Sequence, residues 1–257
     1  MNKYVIITMT IISTLFFTGC DENKIIKLEE GFTNTKLGTI QNQELVTKII
    51  VPKPIVVKKV KKVPLSVQQK KQRFKDILVP IATEVYNTLY NQYIDVKRDI
   101  EQNINREFIE KMKVEYRAKN DEELLYALKP HPISILLAQG AIESAWLTSR
   151  FTVKANNIFG VWSFNKNEPR IEANATRGEK KIYLRKYKTY KAAIFHYYKN
   201  LAKNRAYKEF RKQRTLTDDP YELVQYLGSY SEKKEIYTNT LKKMIEYNKF
   251  YEYDIKR

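Results

Sequence analysis

The sequence predicts an α+β domain that is mostly α, with one small β excursion set after a central helix. Three observations lead there. Apolar residues recur at helical spacing through long stretches on both sides of residues 132–164. Strand-like alternation occurs once, at Ile182, Leu184 and Tyr187. Of the 257 residues 43% are hydrophobic, enough to bury a real core after extensions are set aside.

The N-terminus reads as an address. Met1-Asn2-Lys3 is a short basic start, Tyr4 to Phe17 an apolar run, and small residues close it before Cys20. The run is too short for a comfortable membrane span and ends as an export signal does. Thr18-Gly19-Cys20 resembles the lipobox of bacterial lipoproteins, which implies a signal peptide over 1–19 and diacylation of Cys20; an ordinary signal peptide or a short anchor is the alternative. Cys20 is the sole cysteine, so an exported chain has no internal disulfide and lipid attachment gives that thiol a use. Asp21 resembles the retention signal that keeps some lipoproteins in the inner membrane of Gram-negative bacteria.

Residues 20–65 read as a tether with Pro52, Pro54 and Pro64. From Lys48 to Lys75 there are ten basic residues and no acid. Such a run is a solvated linker that also tracks an anionic bilayer at roughly 1 kcal/mol per Lys near the surface. The whole chain carries +18, and +17 without residues 1–19. Export argues against nucleic acid as the partner, leaving anionic lipid headgroups and the acidic cell-wall polymer. A monomer is expected.

Residues 66–257 form the expected catalytic domain. Ser66 suits an N-cap for a helix through Tyr93, with Phe74, Leu78, Ile81, Val85 and Leu89 in phase and Pro80 a possible bend. A second helix is expected from Ile94 to Tyr116, and a third from Asp121 to Leu128 with Asn120 or Asp121 as cap. His131-Pro132 breaks the chain before the central helix. The second half of the central stretch reads as an irregular loop that ends in the turn signal Asn156-Asn157-Ile158-Phe159-Gly160. A short hairpin is expected around residues 182–191. Helices follow at 191–203, from Asp218/Asp219-Pro220 to Leu227, and from Lys233 to Tyr247.

Chemistry concentrates on one acid. There are two histidines, His131 and His196, without metal-ligand spacing, and no GxSxG nucleophile motif. No cofactor is implied. Glu143 sits in the otherwise apolar and small-residue run from Ile135 to Leu147, with Gln139 and Gly140 one turn before and Trp146 one turn after. A carboxyl placed there is either ion-paired, for instance with Arg150, or kept protonated by exclusion of water, with Trp146 as the shield. The second state is what the acid of a glycosidase needs. Gly140 and Ala141 read as leaving backbone open to something bulky.

The run AQGAIESAWLTSRFTVKANNIFGVWSF resembles the core motif of the Bax-type glucosaminidases of glycoside hydrolase family 73. The resemblance extends to VQQKKQRFKDILVPI, YKEFRKQR and YSEKKEIY, covering roughly Val63 to Tyr247. Ala145 and Leu147 stand where glycines commonly flank the tryptophan, and Gly140 where Ala is usual. The resemblance implies a lysozyme-like fold with a small β lobe at about residues 165–190, and a peptidoglycan hydrolase that cleaves the β-1,4 bond after N-acetylglucosamine. It places Glu143 as general acid and Tyr230 in the site. It gives Trp146, Asn157, Phe159, Gly160 and Tyr237 to substrate binding or cleft shape. For the second carboxylate Glu179 fits the Bax-type pattern, Glu172 the spacing of the flagellar members, and Glu168 comes third. A lytic transglycosylase on the same scaffold and a non-catalytic wall-binding lipoprotein are the competing readings.

Overall fold

A computed structural model of the protein describes residues 64–177, 180–230 and 234–256. The leader, Cys20, the tether as far as residue 63, and Glu179 lie outside these residues.

α1 (Val67–Glu101) starts at Ser66, whose hydroxyl accepts from the Gln69 backbone N–H while the Gln69 side chain accepts from the Ser66 N–H. This reciprocal pair satisfies two of the donors a helix start leaves orphaned. The helix carries Pro80 on an exposed position. It does not divide at Ile94 as expected, because nothing there breaks it. The chain turns instead at Asn103 and Asn105, with φ of +54° and +51°, a conformation that Asn tolerates better than most residues. α2 (Arg106–Tyr116) and α3 (Asp121–Leu128) follow, α3 capped by the Asn120 side chain. Ile109, Met112, Leu124 and Leu128 close a small apolar cluster with Val96 of α1.

α4 (Ile133–Ser144) is the centre of the domain. Every residue from Ile133 to Ala141 is buried, so the helix is enclosed on all sides rather than amphipathic, with Ser134 and Gln139 as its buried polar members. Pro132 cannot cap it with a side chain, and the Ser134 N–H is taken instead by Asp254 Oδ1 at 2.7 Å, 120 residues further on. α1, α6 (Tyr190–Lys203), α9 (Lys234–Tyr247) and the 3-10 turn Phe250–Tyr253 supply its surroundings: Phe74, Leu78, Tyr197, Leu241 and Phe250 share its core. Gly140 is part of this packing and offers no open backbone. A Cβ there would meet Leu78 Cδ2 at 3.3 Å and Ile158 Cγ2 at 3.4 Å.

Behind α4 the expected irregular loop contains a short helix, α5 (Arg150–Ala155), capped by Ser149. The β lobe is a two-stranded antiparallel sheet, β1 (Arg170–Arg177) and β2 (Lys180–Arg185), with an irregularity between Glu172 and Thr176. The hairpin therefore lies upstream of its expected place, and the polar stretch after Phe164 supplies its first strand. α7 (Lys208–Gln213) follows a 3-10 turn at Arg205–Tyr207. α8 (Pro220–Leu223), capped by Asp219, tightens into 3-10 geometry over Val224–Tyr230 in place of a regular helix to Leu227. The architecture is mostly α with a small β lobe after the central helix, as the sequence predicts. No helix among the described residues is long and apolar enough to cross a membrane.

Candidate active site

Glu143 occupies the last turn of α4, and the chain then reverses through three successive residues with positive φ: Ala145 at +50°, Trp146 at +62° and Leu147 at +60°. The Ser144 hydroxyl donates to the Gly140 carbonyl at 2.5 Å and accepts from the Leu147 N–H at 2.8 Å, tying the reversal to the helix. The reversal buries Leu147 in the core. It also sets the Trp146 ring edge-on to Phe74, 5.2 Å between centroids, with Lys71 above it. Trp146 thus packs on α1 and Phe250 and is not in the wall of the cleft that holds Glu143.

The Glu143 carboxyl is half-buried, and burial raises its pKa above the usual carboxylate value. A hydrogen bond from Tyr237 would oppose that rise; Tyr237 Oη lies 3.3 Å from Glu143 Oε1. Among the described residues Glu143 has no ion-pair partner. Arg150, the cation the sequence offered, donates to the Glu172 carbonyl at 3.1 Å. Tyr230 stacks on Tyr237 at 5.7 Å with the rings parallel within 2°, and its hydroxyl donates to the Phe159 carbonyl at 3.4 Å. Burial pushes both phenols up, so each stays protonated.

Glu143 opens into a cleft of about 620 Å³ whose wall includes Phe159, Gly160, Trp162, Phe164, Glu168, Arg185, His196 and Tyr230. Gly160 needs φ of +64°, a backbone state glycine adopts without strain. Asn157 is buried and shapes the loop from behind. Its amide donates to the Val161 and Arg185 carbonyls at 2.9 and 2.8 Å, and its oxygen accepts from the Val161 N–H at 2.9 Å. Phe159 stacks on Tyr197, 4.3 Å between centroids. A separate cavity of about 390 Å³ behind α6, lined by Leu89, Phe195 and Arg214, has no acid in its wall.

Among the described residues, the carboxylate that shares this cleft with Glu143 is Glu168. Ser163 Oγ donates to it at 2.6 Å and Arg185 pairs with its other oxygen, which together hold its pKa below the usual range. Glu172 is exposed on β1, salt-bridged to Lys181 at 3.1 Å, and is not in the cleft wall. Two carboxyls in one cleft are therefore pushed in opposite directions, Glu143 toward its acid form and Glu168 toward its anion.

Sequence reading missed Arg185, His196 and the rings of Trp162 and Phe164. The rings are 43% and 86% exposed, 6.1 Å apart, in the cleft wall. An exposed Trp and Phe two residues apart in the FGVWSF run was the available signal. His196 is half-buried, held neutral by burial and by Arg185 with a pKa of about 4, and within 3.0 Å of Tyr187 Oη.

Compared with protein families, residues 118–250 match the glucosaminidase family, described as mannosyl-glycoprotein endo-beta-N-acetylglucosaminidase. The chain belongs to this glucosaminidase family. The matched region runs from just before α3 to the 3-10 turn at Phe250 and so includes Glu143, the β lobe and both site tyrosines. Among solved structures, the catalytic domain of the autolysin Auto from Listeria monocytogenes aligns at 16% identity and TM-score 0.42, covering 75% of this chain and all of that one. A C-terminally truncated glycoside hydrolase domain of FlgJ from Salmonella typhimurium aligns at 22% identity and TM-score 0.38, over 56% of this chain and 96% of that one. A peptidoglycan hydrolase from Sphingomonas sp. A1 aligns at 21% identity and TM-score 0.40, over 51% of this chain and 84% of that one. No curated protein matches the chain by sequence.

Proposed function

We propose that the protein is a peptidoglycan hydrolase that cleaves the β-1,4 bond after N-acetylglucosamine, with Glu143 as general acid and Glu168 as its anionic partner. The observation that carries this is the opposite perturbation of the two carboxyls in a single cleft. Groups whose surroundings drive their pKa values apart are how one site supplies both a proton donor and a carboxylate at neutral pH. Glu143 gives its proton to the leaving glycosidic oxygen. Glu168 stabilises the positive charge that develops on the sugar, or takes a proton from the attacking water. Trp162 and Phe164 offer apolar ring faces to the pyranose units on either side. Tyr230 and Tyr237 flank the acid.

Family membership and the motif around Glu143 support the substrate class. The export signal, Cys20 as a lipid anchor and the basic tether up to residue 65 would hold the enzyme at the membrane within reach of the wall.

The test is muropeptide analysis of sacculi digested by the wild type and by the Gln variants of Glu143, Glu168, Glu172 and Glu179. Reducing-end N-acetylglucosamine is expected from the wild type. Glu143→Gln and Glu168→Gln should each lose about 100-fold or more, the usual scale for a positioned acid or base, and Glu172→Gln little. Full loss in Glu179→Gln with Glu168→Gln active would move the second role to Glu179. Products with 1,6-anhydro-muramic ends would replace the hydrolase with a lytic transglycosylase, and binding to sacculi without cleavage would leave a wall-binding lipoprotein.

A further inference from the structure

Behind Glu143 a line of polar groups runs through the core that the proposed chemistry does not use. Tyr237 Oη, 3.3 Å from the carboxyl, is 2.9 Å from Gln139 Nε2. Gln139 Oε1 is 2.5 Å from Tyr197 Oη, which lies 3.0 Å from His131 Nε2. His131 Nδ1 in turn sits 2.9 Å from the Pro132 carbonyl oxygen. Gln139 and His131 are fully buried, and Tyr197 nearly so.

The direction of this line follows from counting protons. A carbonyl only accepts, so the contact with Pro132 needs a proton on His131 Nδ1. His131 is neutral: burial and the nearby Arg214 guanidinium hold its pKa to about 3. Its Nε2 is then an acceptor, and Tyr197 must spend its single hydroxyl proton there. Tyr197 Oη can only accept from Gln139, which sets the amide NH₂ toward Tyr197 and the amide oxygen toward Tyr237. This is a half-turn from the placed amide, whose Nε2 faces Tyr237 and Oε1 faces Tyr197; the two ends share one envelope, so the hydrogen-bond network decides which is which. Tyr237 must therefore donate to Gln139. Its hydroxyl proton is then used, and the 3.3 Å contact with Glu143 is a hydrogen bond only if the carboxyl donates.

We propose that His131, Tyr197 and Gln139 are positioning residues: with Tyr237 they form a one-way hydrogen-bond relay, oriented by the Pro132 carbonyl, that requires Glu143 to hold its proton. If Glu143 were ionised it would demand a donor from Tyr237. The amide would then have to turn and Tyr197 reverse, leaving two acceptors face to face at His131 or forcing a charge onto it. Burial of the relay makes each of these states costly. The other titratable groups around Glu143 are Tyr230, and, across the cleft, the Glu168–Arg185 pair, His196 and Tyr207. Those around His131 are Tyr197, Tyr198 and Arg214.

This inference rests on the reading of Glu143 as proton donor, and its test needs no substrate. Glu143 is titrated in the full chain through its side-chain carboxyl ¹³C shift, assigned by its loss in Glu143→Gln. Tyr197→Phe removes the link that transmits the direction. Its Glu143 titration should fall by about one unit, the size of one hydrogen bond's preference between two protonation states. Tyr198→Phe is the control. It removes a neighbouring buried hydroxyl that donates to the His131 carbonyl at 3.3 Å but lies outside the relay, so the titration should stay in place. An unmoved titration in Tyr197→Phe, or an equal shift in Tyr198→Phe, overturns the relay. If Tyr197→Phe does not fold, the imidazole ¹⁵N shifts of His131 in the wild type decide: a proton on Nδ1 supports the relay, and one on Nε2 overturns it. A shifted titration in a protein that leaves sacculi intact would keep the relay and remove the proposed substrate. Cleavage with an unshifted titration would do the reverse.

Discussion

Replacing Ala145 by glycine should stabilise the protein by about 0.5–1 kcal/mol. The native φ of Ala145 is +50°, in the left-handed region, and the residue is exposed. An L-residue with a Cβ in that region costs roughly 1–2 kcal/mol. Glycine removes that cost but returns about 0.4–1 kcal/mol through the greater entropy of the unfolded chain. No packing is lost, because the methyl group faces solvent. For a domain of this size the gain corresponds to a rise of roughly 2–3 °C in Tm, read by thermal unfolding at constant pH. Ala145→Val is the opposing perturbation, since a β-branched side chain suits positive φ worst, and it should destabilise by more than the glycine gains. Leu147 shares the conformation at +60°, yet its glycine variant should not stabilise, because Leu147 is buried in the core. If Ala145→Gly lowers Tm, or Ala145→Val leaves it unchanged, the reversal after α4 is not strained. The family's glycine preference beside the tryptophan would then need another cause.

Two further outcomes follow from the same structure. Burial raises the Asp254 pKa to about 6, so the folded state takes up a proton before the unfolded state does as pH falls. Stability from this group therefore increases as pH drops from about 6 to 4 and is lost on the way back up, by at most about 3 kcal/mol. Asp254→Asn, which can still accept from the Ser134 N–H, should flatten that dependence in urea unfolding at pH 4.5 and 7; equal slopes in both proteins would remove Asp254 as the cause. Trp162→Ala and Phe164→Ala, made in the Glu143→Gln background, should each weaken binding to sacculi by about tenfold, the scale of one lost aromatic face. Tm should barely move because both rings are exposed, and unchanged binding in both variants would place the glycan elsewhere.

The parts of the fold that were legible in the sequence are those set by local rules. Ser66, Asn120 and Asp219 mark helix starts because each side chain caps a backbone N–H two or three residues on. The apolar run around Glu143 marks α4 because burial on all sides leaves no polar face. What was misread depends on partners far along the chain. Nothing local says that α1 continues past Ile94, since its last turns pack on α2 and α3 rather than on the main core. The hairpin reads late because the alternating positions of its first strand, Ile171, Ala173 and Ala175, are mostly alanine, which is depleted in strands and makes a faint period of two.

The site divides in the same way, and its least legible member shows why. Glu143 announces itself, because an acid in an apolar helix needs an explanation from sequence alone. Glu168 does not: one acid in a polar loop looks like the next, and Glu172 and Glu179 match better by spacing. What distinguishes Glu168 is a serine five residues before it and an arginine seventeen after it, brought to the same carboxylate by the strand pairing of Arg170 with Arg185. His131 is the mirror case. In the sequence it has no metal-ligand spacing to single it out, and in the structure it is a fully buried histidine with both ring nitrogens in contact. Only the direction of its two hydrogen bonds, which no spacing encodes, connects it to the acid four side chains away. A sequence can therefore nominate the group that is costly to bury, while the groups that set its proton must be read from who donates to whom.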